Sequence, residues 1–318
     1  MDRVSSLRLG ISSCLLGELV RYDGGHKRDR FLVDTLGRYV EWVPVCPELE
    51  VGMGVPRESI RLEKTAGAVR LVTIKSHEDH TGAMEKWARM RLTELAKEDL
   101  RGYILKARSP SCGMERVAVY DENGVPSRDG VGAFARPLLE RFPDLPVEEE
   151  GRLHDPKLRE NFIERIFAYE RLRSLFATSW KAREVIEFHA QHKLLLMAHS
   201  PADYRELGRR VAAVKQTSRS TFRRDYERAF MAALRKKATK GRHTNVLQHA
   251  AGYVSKELDA ASRQELGALI EDFHNGLVPL VVPITLLRHY VRRFQIAYLD
   301  GQYYLDPHPK ELMLRNHV

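Results

Sequence analysis

The chain has 318 residues, which is longer than a single hydrophobic core usually supports, so two domains are expected. Its hydrophobic fraction of 43% is enough to form both cores. Its three cysteines are odd in number and far apart, which argues against a disulfide framework and favours a metal or catalytic role. The net charge of +9 is uneven, since residues 1–150 carry 23 Lys and Arg against 25 Asp and Glu, and residues 151–318 carry 29 against 18. Such a basic second half is typical of proteins that bind nucleic acid or another anionic surface.

No segment has the character of a membrane span. The longest apolar run, residues 277–287, is too short to cross a bilayer and is interrupted by Pro279 and Pro283. Residues 1–6 are polar, and no apolar signal region follows them. We therefore expect a cytoplasmic protein with no membrane partner.

The first half alternates segments typical of strands with segments typical of helices. Apolar runs predict strands over residues 7–12, 39–45, 69–74, 102–107 and 117–120. Helical periodicity predicts helices over residues 29–36, 81–95 and 132–139, and Thr81 is suited to cap the second of these. This alternation predicts an α/β domain with a mostly parallel, Rossmann-like sheet.

The second half predicts an all-α domain. Apolar residues recur at helical spacing through residues 162–230, and almost no strand signal is left. The prolines and the acidic run of residues 142–151 predict the joint, so we place the domains at 1–148 and 149–318. His189, His192 and His199 in this half are expected to lie in the core or to face RNA rather than to bind metal.

Each cysteine follows a predicted strand. Cys14 comes two residues after the strand at 7–12, Cys46 directly follows the strand at 39–45, and Cys112 lies in the loop 109–113 after the strand at 102–107. Because the carboxyl ends of parallel strands line one crevice of an open α/β sheet, we expect the three cysteines to converge there.

The spacing of the cysteines limits the inorganic centres that they can hold. No two are two to four residues apart, as the ligands of structural zinc usually are. Three thiolates suit an iron–sulfur cluster in which one iron has no protein ligand and can attract sulfur. The alternative is that the cysteines are buried packing residues. Against it, their loops are rich in Pro, Gly, Ser or charge, and polar residues such as Glu48, Ser109 and Ser111 lie beside them.

Segments in both halves resemble a known family. The segments of the first half resemble the thiouracil desulfidase (TudS) family over roughly residues 5–145. They are residues 14–17, 21–27, 45–48, 56–57 and 106–113. The segments of the second half are similar to the helical domain that follows a thiouracil desulfidase domain in bacterial desulfidases of 4-thiouridine in transfer RNA. They are residues 188–201, 249–253 and 314–316.

The resemblance implies a reaction and roles for individual residues. The three cysteines would hold a four-iron, four-sulfur cluster whose fourth iron is open to the sulfur of the substrate. Glu48 would activate water or protonate the pyrimidine ring, and Ser109 or Ser111 would position the ring or relay the proton. The substrate would be thiolated transfer RNA, and hydrolysis would release hydrogen sulfide.

Three further residues near the cysteines are candidates for the site. Asp23 is either a turn residue or a catalytic contact. Arg57 either binds a substrate phosphate or anchors its loop, and Tyr22 is a candidate substrate contact. Gly52 and Gly54 lack the surrounding fingerprint of a dinucleotide site, so no nucleotide cofactor is expected.

A strongly basic segment lies within the predicted helical domain. Residues 205–242 contain 13 Lys and Arg against three acids. Like charges four residues apart, such as Arg219 and Arg223, destabilise a helix and favour an anionic partner, which the phosphates of RNA supply. The apolar spacing fits a packed bundle better than membrane insertion. The predicted RNA-binding residues are Arg209, Arg210, Lys215, Arg219, Arg223, Arg224, Arg228, Lys236 and Lys237.

Together these patterns predict an iron–sulfur desulfidase that acts on 4-thiouridine in transfer RNA. One alternative is a desulfidase of free thiouracil or thiouridine, in which the basic domain is incidental. The other is a non-enzymatic RNA-binding protein whose metal centre is structural or redox-sensing.

Overall fold

The computed structural model describes residues 7–317, in which eight strands are followed by a helical second half. The strands are β1 Leu7–Ser12, β2 Val40–Val45, β3 Ile60–Thr65, β4 Ala68–Thr73, β5 Gly102–Leu105, β6 Val117–Tyr120, β7 Pro126–Gly130 and β8 Val147–Glu149. The α-helices are α1 Pro47–Glu50, α2 Thr81–Leu95, α3 Ala135–Arg141, α4 Pro156–Leu175, α5 Ala182–Gln191, α6 Lys193–His199, α7 Pro201–Ala212, α8 Arg219–Arg235, α9 Lys240–Val254, α10 Ala260–Asn275 and α11 Val281–Arg293.

The chain divides into two units between His154 and Asp155. A boundary after residue 148 would cut through β8, in which Val147 pairs with Tyr103 of β5. β8 has only three residues, all of them buried, so no alternation of apolar and polar positions marks it in the sequence. Part of the predicted joint is therefore a strand of the first unit.

Four strands of the first unit form a fully parallel sheet in the order β2-β1-β5-β8. β1 lies between β2 and β5, and all of its residues except Arg8 are buried. Ser12, the last residue of β1, lies opposite Val45, the last residue of β2, and Ile11 lies opposite Ile104 of β5. The strands that precede the three cysteines thus end side by side at one edge. The predicted α/β class with a mostly parallel sheet is confirmed.

The other four strands form a sheet that the sequence did not predict. Its order is β4-β3-β6-β7, and only the pair β3–β6 is parallel. The strand predicted over residues 69–74 is β4 of this sheet, paired with β3 through a hairpin at Ala66 and Gly67, both of which have positive φ. β7 is polar and mostly exposed, so apolar periodicity does not reveal it.

Two of the predicted helices differ in detail. The segment predicted as a helix over residues 29–36 forms a π-helical turn at Phe31–Thr35 and a 3-10 turn at Leu36–Arg38. Helix α2 is present, but Thr81 does not cap it, because the Thr81 hydroxyl oxygen accepts a hydrogen bond from the Leu71 N–H at 2.8 Å. Thr81 therefore ties α2 to β4 of the second sheet.

The second unit is built from helices α4–α11, which confirms the all-α prediction. Four aromatic rings contact one another in its core, those of Phe176, Phe188, Tyr226 and Phe230. Side-chain oxygens cap five of these helices, from residues Asp155, Ser200, Ser218, Thr239 and Asp259. Within residues 7–317, no helix is both long and apolar enough to cross a membrane.

Candidate active site

All three cysteines line one cavity of about 370 Å³ in the first unit. Cys14 and Cys112 are buried and Cys46 is partly buried, and none of the three forms a disulfide. The cavity lies beyond the carboxyl ends of β1, β2 and β5, where the parallel strands were expected to bring the cysteines.

Each cysteine is placed by local backbone structure. Cys14 lies in a 3-10 turn that ends at Gly17, whose φ of 100° suits glycine. Cys46 precedes α1, and its N–H donates to Glu50 Oε1 at 3.0 Å. The Cys112 N–H donates to Ser109 Oγ at 3.2 Å, and Gly132 packs against this loop so closely that any larger residue would collide with it. The short polar turns after the strands therefore hold the thiols in place.

Burial disfavours the charged form of all three thiols. It raises the pKa of Cys14 to about 12, although the Lys106 ammonium acts in the opposite direction. Burial also raises the pKa of Cys46 and of Cys112. Cys46 adds to the rise at Cys14, and Cys14 adds to the rise at Cys112, because the charges would repel across the cavity. A bound positive centre would favour the thiolate form of these cysteines.

The cavity offers three thiols as candidate ligands of a metal group. Among residues 7–317 there is no group of three or more His, Cys, Asp or Glu side chains close enough to hold one metal ion. The three thiols are instead distributed around one cavity. An iron–sulfur cluster is held by thiolates on its separate irons, so this donor set fits a cluster.

A chain of hydrogen bonds links the Cys112 loop to Glu48, which also lines the cavity. Ser111 Oγ donates to Glu48 Oε1 at 2.6 Å, and Ser109 Oγ lies 2.9 Å from Ser111 Oγ. Because Ser111 has only one hydroxyl hydrogen and uses it on the carboxylate, Ser109 must be the donor of the second bond. Ser109 lines the cavity whereas Ser111 is fully buried behind it, so the two serines differ in what they can contact.

Arg57 holds Glu48 from the other side. Its Nη2 forms an ion pair with Glu48 Oε2, and its Nη1 donates to the carbonyl oxygens of Val20 at 3.0 Å and Gly54 at 2.9 Å. The Arg57 side chain is 5% exposed and that of Glu48 is 17% exposed. These contacts anchor the loop of Arg57 to the cavity wall, while the buried Nε has no hydrogen-bond partner among residues 7–317. A substrate contact by Arg57 stays a prediction.

Tyr22 and Asp23 are placed differently from each other. Tyr22 lines the cavity and is largely exposed, with the Arg21 guanidinium 5.3 Å from its ring centre. Asp23 is not part of the lining, and its Oδ1 accepts from the Gly25 N–H at 3.0 Å. This bond, which lowers the pKa of the Asp23 carboxyl, is that of a turn residue.

Sequence reasoning assigned no role to four cations that also line the cavity, Arg21, Lys27, Lys106 and Arg108. Lys106 pairs with Glu150, donates to the Ala107 carbonyl at 3.0 Å and lowers the pKa of Cys14. The position of Lys106 and Arg108 inside the Cys112 motif is the signal that could have identified them.

The basic segment of the second unit carries its own acids. Arg209 and Arg210 both contact Glu206, at 2.8 and 3.3 Å, and Lys236 contacts Asp203 at 2.5 Å. Their positive charge is therefore partly compensated within α7 and the segment after α8.

Helix α8 shows the same compensation. Arg223 pairs with Glu227 at 3.1 Å, and Arg224 lies 2.9 Å from Asp225. Arg219 lies over the ring of Trp180, 4.8 Å from its centre. The like-charge repulsion expected along this helix is thus relieved in part by opposite charges. The predicted residues Lys215, Arg228 and Lys237 are exposed.

The three histidines of the motif at residues 188–201 are buried. His189 Nδ1 lies 3.1 Å from the Tyr226 hydroxyl, and burial lowers its pKa to about 4. His192 Nδ1 lies 2.7 Å from the Phe188 carbonyl, and His199 Nε2 lies 3.2 Å from Glu164 Oε2. Their contacts are with the core of the helical unit.

Comparison with known proteins separates the chain into the same two halves. Residues 9–150 match the family model described as 2-thiouracil desulfurase, and residues 193–309 match the model of a protein family of unknown function, DUF1722. The uncharacterized protein YbgA of Escherichia coli (strain K12) is 33% identical over 153 residues, which are 48% of this chain and 90% of YbgA. The solved structure of a [4Fe-4S]-dependent thiouracil desulfidase, TudS, is 30% identical. That match covers 47% of this chain and 95% of TudS, with a TM-score of 0.38.

Proposed function

Because the chain belongs to the 2-thiouracil desulfurase family through residues 9–150 and to the DUF1722 family through residues 193–309, we propose that it is a cytoplasmic tRNA desulfidase. Its reaction replaces the sulfur of 4-thiouridine in transfer RNA by oxygen. The observation that carries the proposal is a single cavity that holds all three cysteines together with Glu48, whose carboxylate Ser111 contacts at 2.6 Å.

Cys14, Cys46 and Cys112 would hold a four-iron, four-sulfur cluster. With three protein thiolates, one iron of such a cluster would lack a protein ligand, and the cluster would supply a soft Lewis acid for the thiocarbonyl sulfur. Because burial raises the pKa of these thiols, binding of the cluster would be coupled to the release of their protons.

Glu48 is the proposed acid–base residue. Its carboxylate takes a proton from the water that adds to the ring carbon bearing sulfur, and Ser111 and Ser109 connect it to the cavity surface. Ser109 contacts the pyrimidine, whereas Ser111 and Arg57 orient Glu48. The net reaction converts C=S into C=O, consumes one water and releases one hydrogen sulfide, with no change in oxidation state.

Charge supports RNA as the substrate. Residues 151–318 carry 29 basic residues against 18 acidic ones, whereas residues 1–150 are nearly neutral. Moving a nucleotide out of a folded RNA costs a few kcal/mol of stacking, which phosphate contacts to the second unit offset. Lys215, Arg228 and Lys237, which are exposed, are the first candidates for these contacts.

A second candidate is a desulfidase of free thiouracil. The description of the matching family model, 2-thiouracil desulfurase, favours this reading. In that case the basic unit would have no part in turnover, and truncation of the RNA to its thiolated base would not slow the reaction.

The decisive experiment uses oxygen-free full-length protein. Iron and acid-labile sulfide are measured per chain, with about four of each expected. Sulfide release is then compared on thiolated transfer RNA and on free 4-thiouracil at equal concentration of thiolated base. Faster release from transfer RNA supports the proposal, and faster release from the free base supports the second candidate. If the iron-loaded protein binds RNA but releases no sulfide from either substrate, the metal centre is not catalytic.

A further inference from the structure

A group of aromatic side chains lies at the surface of the helical unit, outside its aromatic core. We call it the aromatic platform, and it consists of His249, Tyr253 and Tyr298, with Lys193 at its edge. The rings of Tyr253 and Tyr298 are stacked, with centres 4.3 Å apart and planes 18° from parallel. The ring of His249 meets that of Tyr253 edge-on at 5.5 Å. Residues from α6, α9 and the segment after α11 therefore converge on one surface feature.

The platform keeps aromatic surface exposed although its rings contact one another. Tyr298 is 38% exposed even though one of its faces is covered by Tyr253, and His249 is exposed as well. Each tyrosine has only two side-chain torsions, and the mutual stacking restrains both rings. A flat, rigid π surface of this kind loses little entropy when a planar ligand stacks on it.

The ammonium group of Lys193 lies at the edge of the platform. Lys193 Nζ donates to the Tyr298 hydroxyl at 2.6 Å and lies 5.2 Å from the centre of the Tyr298 ring. Within residues 7–317, no carboxylate forms an ion pair with Lys193, in contrast to Arg209 and Arg223. The ammonium is therefore available to an anion that accompanies a stacked ring.

We propose that the aromatic platform binds an unpaired nucleobase of RNA, which stacks on Tyr298 while an adjoining phosphate contacts Lys193. An aromatic face beside a cation matches the two chemical parts of a nucleotide, a planar base and a phosphate. The proposal rests on the proposed function, in that the RNA is the transfer RNA substrate, and it adds a second contact area to the basic residues of α7 and α8. Because every base has a π face, the contact selects for an unpaired nucleotide rather than for a particular base.

The test measures binding of end-labelled, thiolated transfer RNA to full-length Tyr298 variants. Tyr298→Leu keeps apolar packing against Tyr253 but removes the π face, so affinity falls roughly 5- to 150-fold. Tyr298→Phe keeps the π face and stays within about twofold of the wild type, since the hydroxyl is not the stacking surface. Lys193→Met makes the slope of log affinity against log salt shallower by about one, as expected for the loss of one phosphate contact.

A second measurement detects stacking directly. A single-stranded RNA decamer with one 2-aminopurine is titrated with each protein, and stacking on an aromatic ring quenches the fluorescence of this base. Quenching by the wild type and by Tyr298→Phe but not by Tyr298→Leu supports the platform. Equal affinity for transfer RNA and equal quenching in all three proteins overturn it and leave the proposed function intact. If the wild type does not bind transfer RNA, the proposed function fails, and quenching of the decamer alone decides the platform.

Discussion

Replacing Glu48 with glutamine changes the charge of one group in the cavity and little else. The amide keeps an oxygen that can accept the Ser111 hydroxyl, now 2.6 Å from Glu48 Oε1, and it keeps the length of the side chain. The ion pair with Arg57 and the ability to accept a proton from water are both lost. We expect iron and sulfide content to stay at the wild-type level, because the three cysteines are untouched.

The expected losses follow from the burial and the contacts of the pair. Removal of a general acid–base group lowers turnover by roughly 10²- to 10⁴-fold, which is about 3–5 kcal/mol of activation free energy. Removing one partner of a fully buried ion pair costs about 3–5 kcal/mol of stability. Here we expect about 2 kcal/mol, because Arg57 keeps the carbonyl oxygens of Val20 and Gly54 and Glu48 is 17% exposed.

The assay is single-turnover sulfide release by iron-loaded protein at saturating thiolated RNA, with thermal unfolding recorded in parallel. Glu63→Gln is the matched control, because Glu63 is 19% exposed and pairs with Arg61 but does not line the cavity. The control should lose some stability and keep its turnover. Wild-type turnover in Glu48→Gln, with iron content unchanged, would refute the role assigned to Glu48.

Four further outcomes follow from the same contacts. Replacing any one of the three cysteines by alanine should abolish bound iron and labile sulfide, and a variant that keeps the full iron content would remove that cysteine from the ligand set. Ser111→Ala should lower kcat roughly 10- to 100-fold with KM unchanged, whereas Ser109→Ala should raise KM, as steady-state kinetics can show. Lowering the pH from 6.5 to 4 should destabilise the helical unit, because the folded-state pKa of His189 is about 4 and the unfolded chain therefore binds more protons in this range. His189 accounts for up to about 3 kcal/mol of this loss of unfolding free energy, and His189→Gln should therefore flatten the pH dependence of the unfolding free energy. Changing Arg224 and Arg228 to glutamine should lower the salt slope of RNA binding by about two, and an unchanged slope would exclude that face of α8.

The fold class and the candidate residues could be predicted from the order of the amino acids alone. Apolar runs before Cys14, Cys46 and Cys112 predicted strands that end at one edge of a parallel sheet, because burial on both faces of such a sheet leaves a continuous apolar signal. Helical periodicity likewise predicted the second unit, since an amphipathic helix repeats within a few residues.

The contacts that each candidate residue makes could not be predicted in this way and became visible in the folded chain. The contacts of Ser109 and Ser111 come from residues far apart in the chain, so spacing could not tell which serine lines the cavity and which one is buried against Glu48. The same is true of the stacked rings of Tyr253 and Tyr298, which lie on different segments. The second sheet was also missed as a sheet, because only β4 and β6 were predicted as strands and nothing in the sequence showed that they belong to one sheet with β3 and the polar β7. Local patterns record which side of an element is buried, whereas the partners on that side are set by the packing of distant segments.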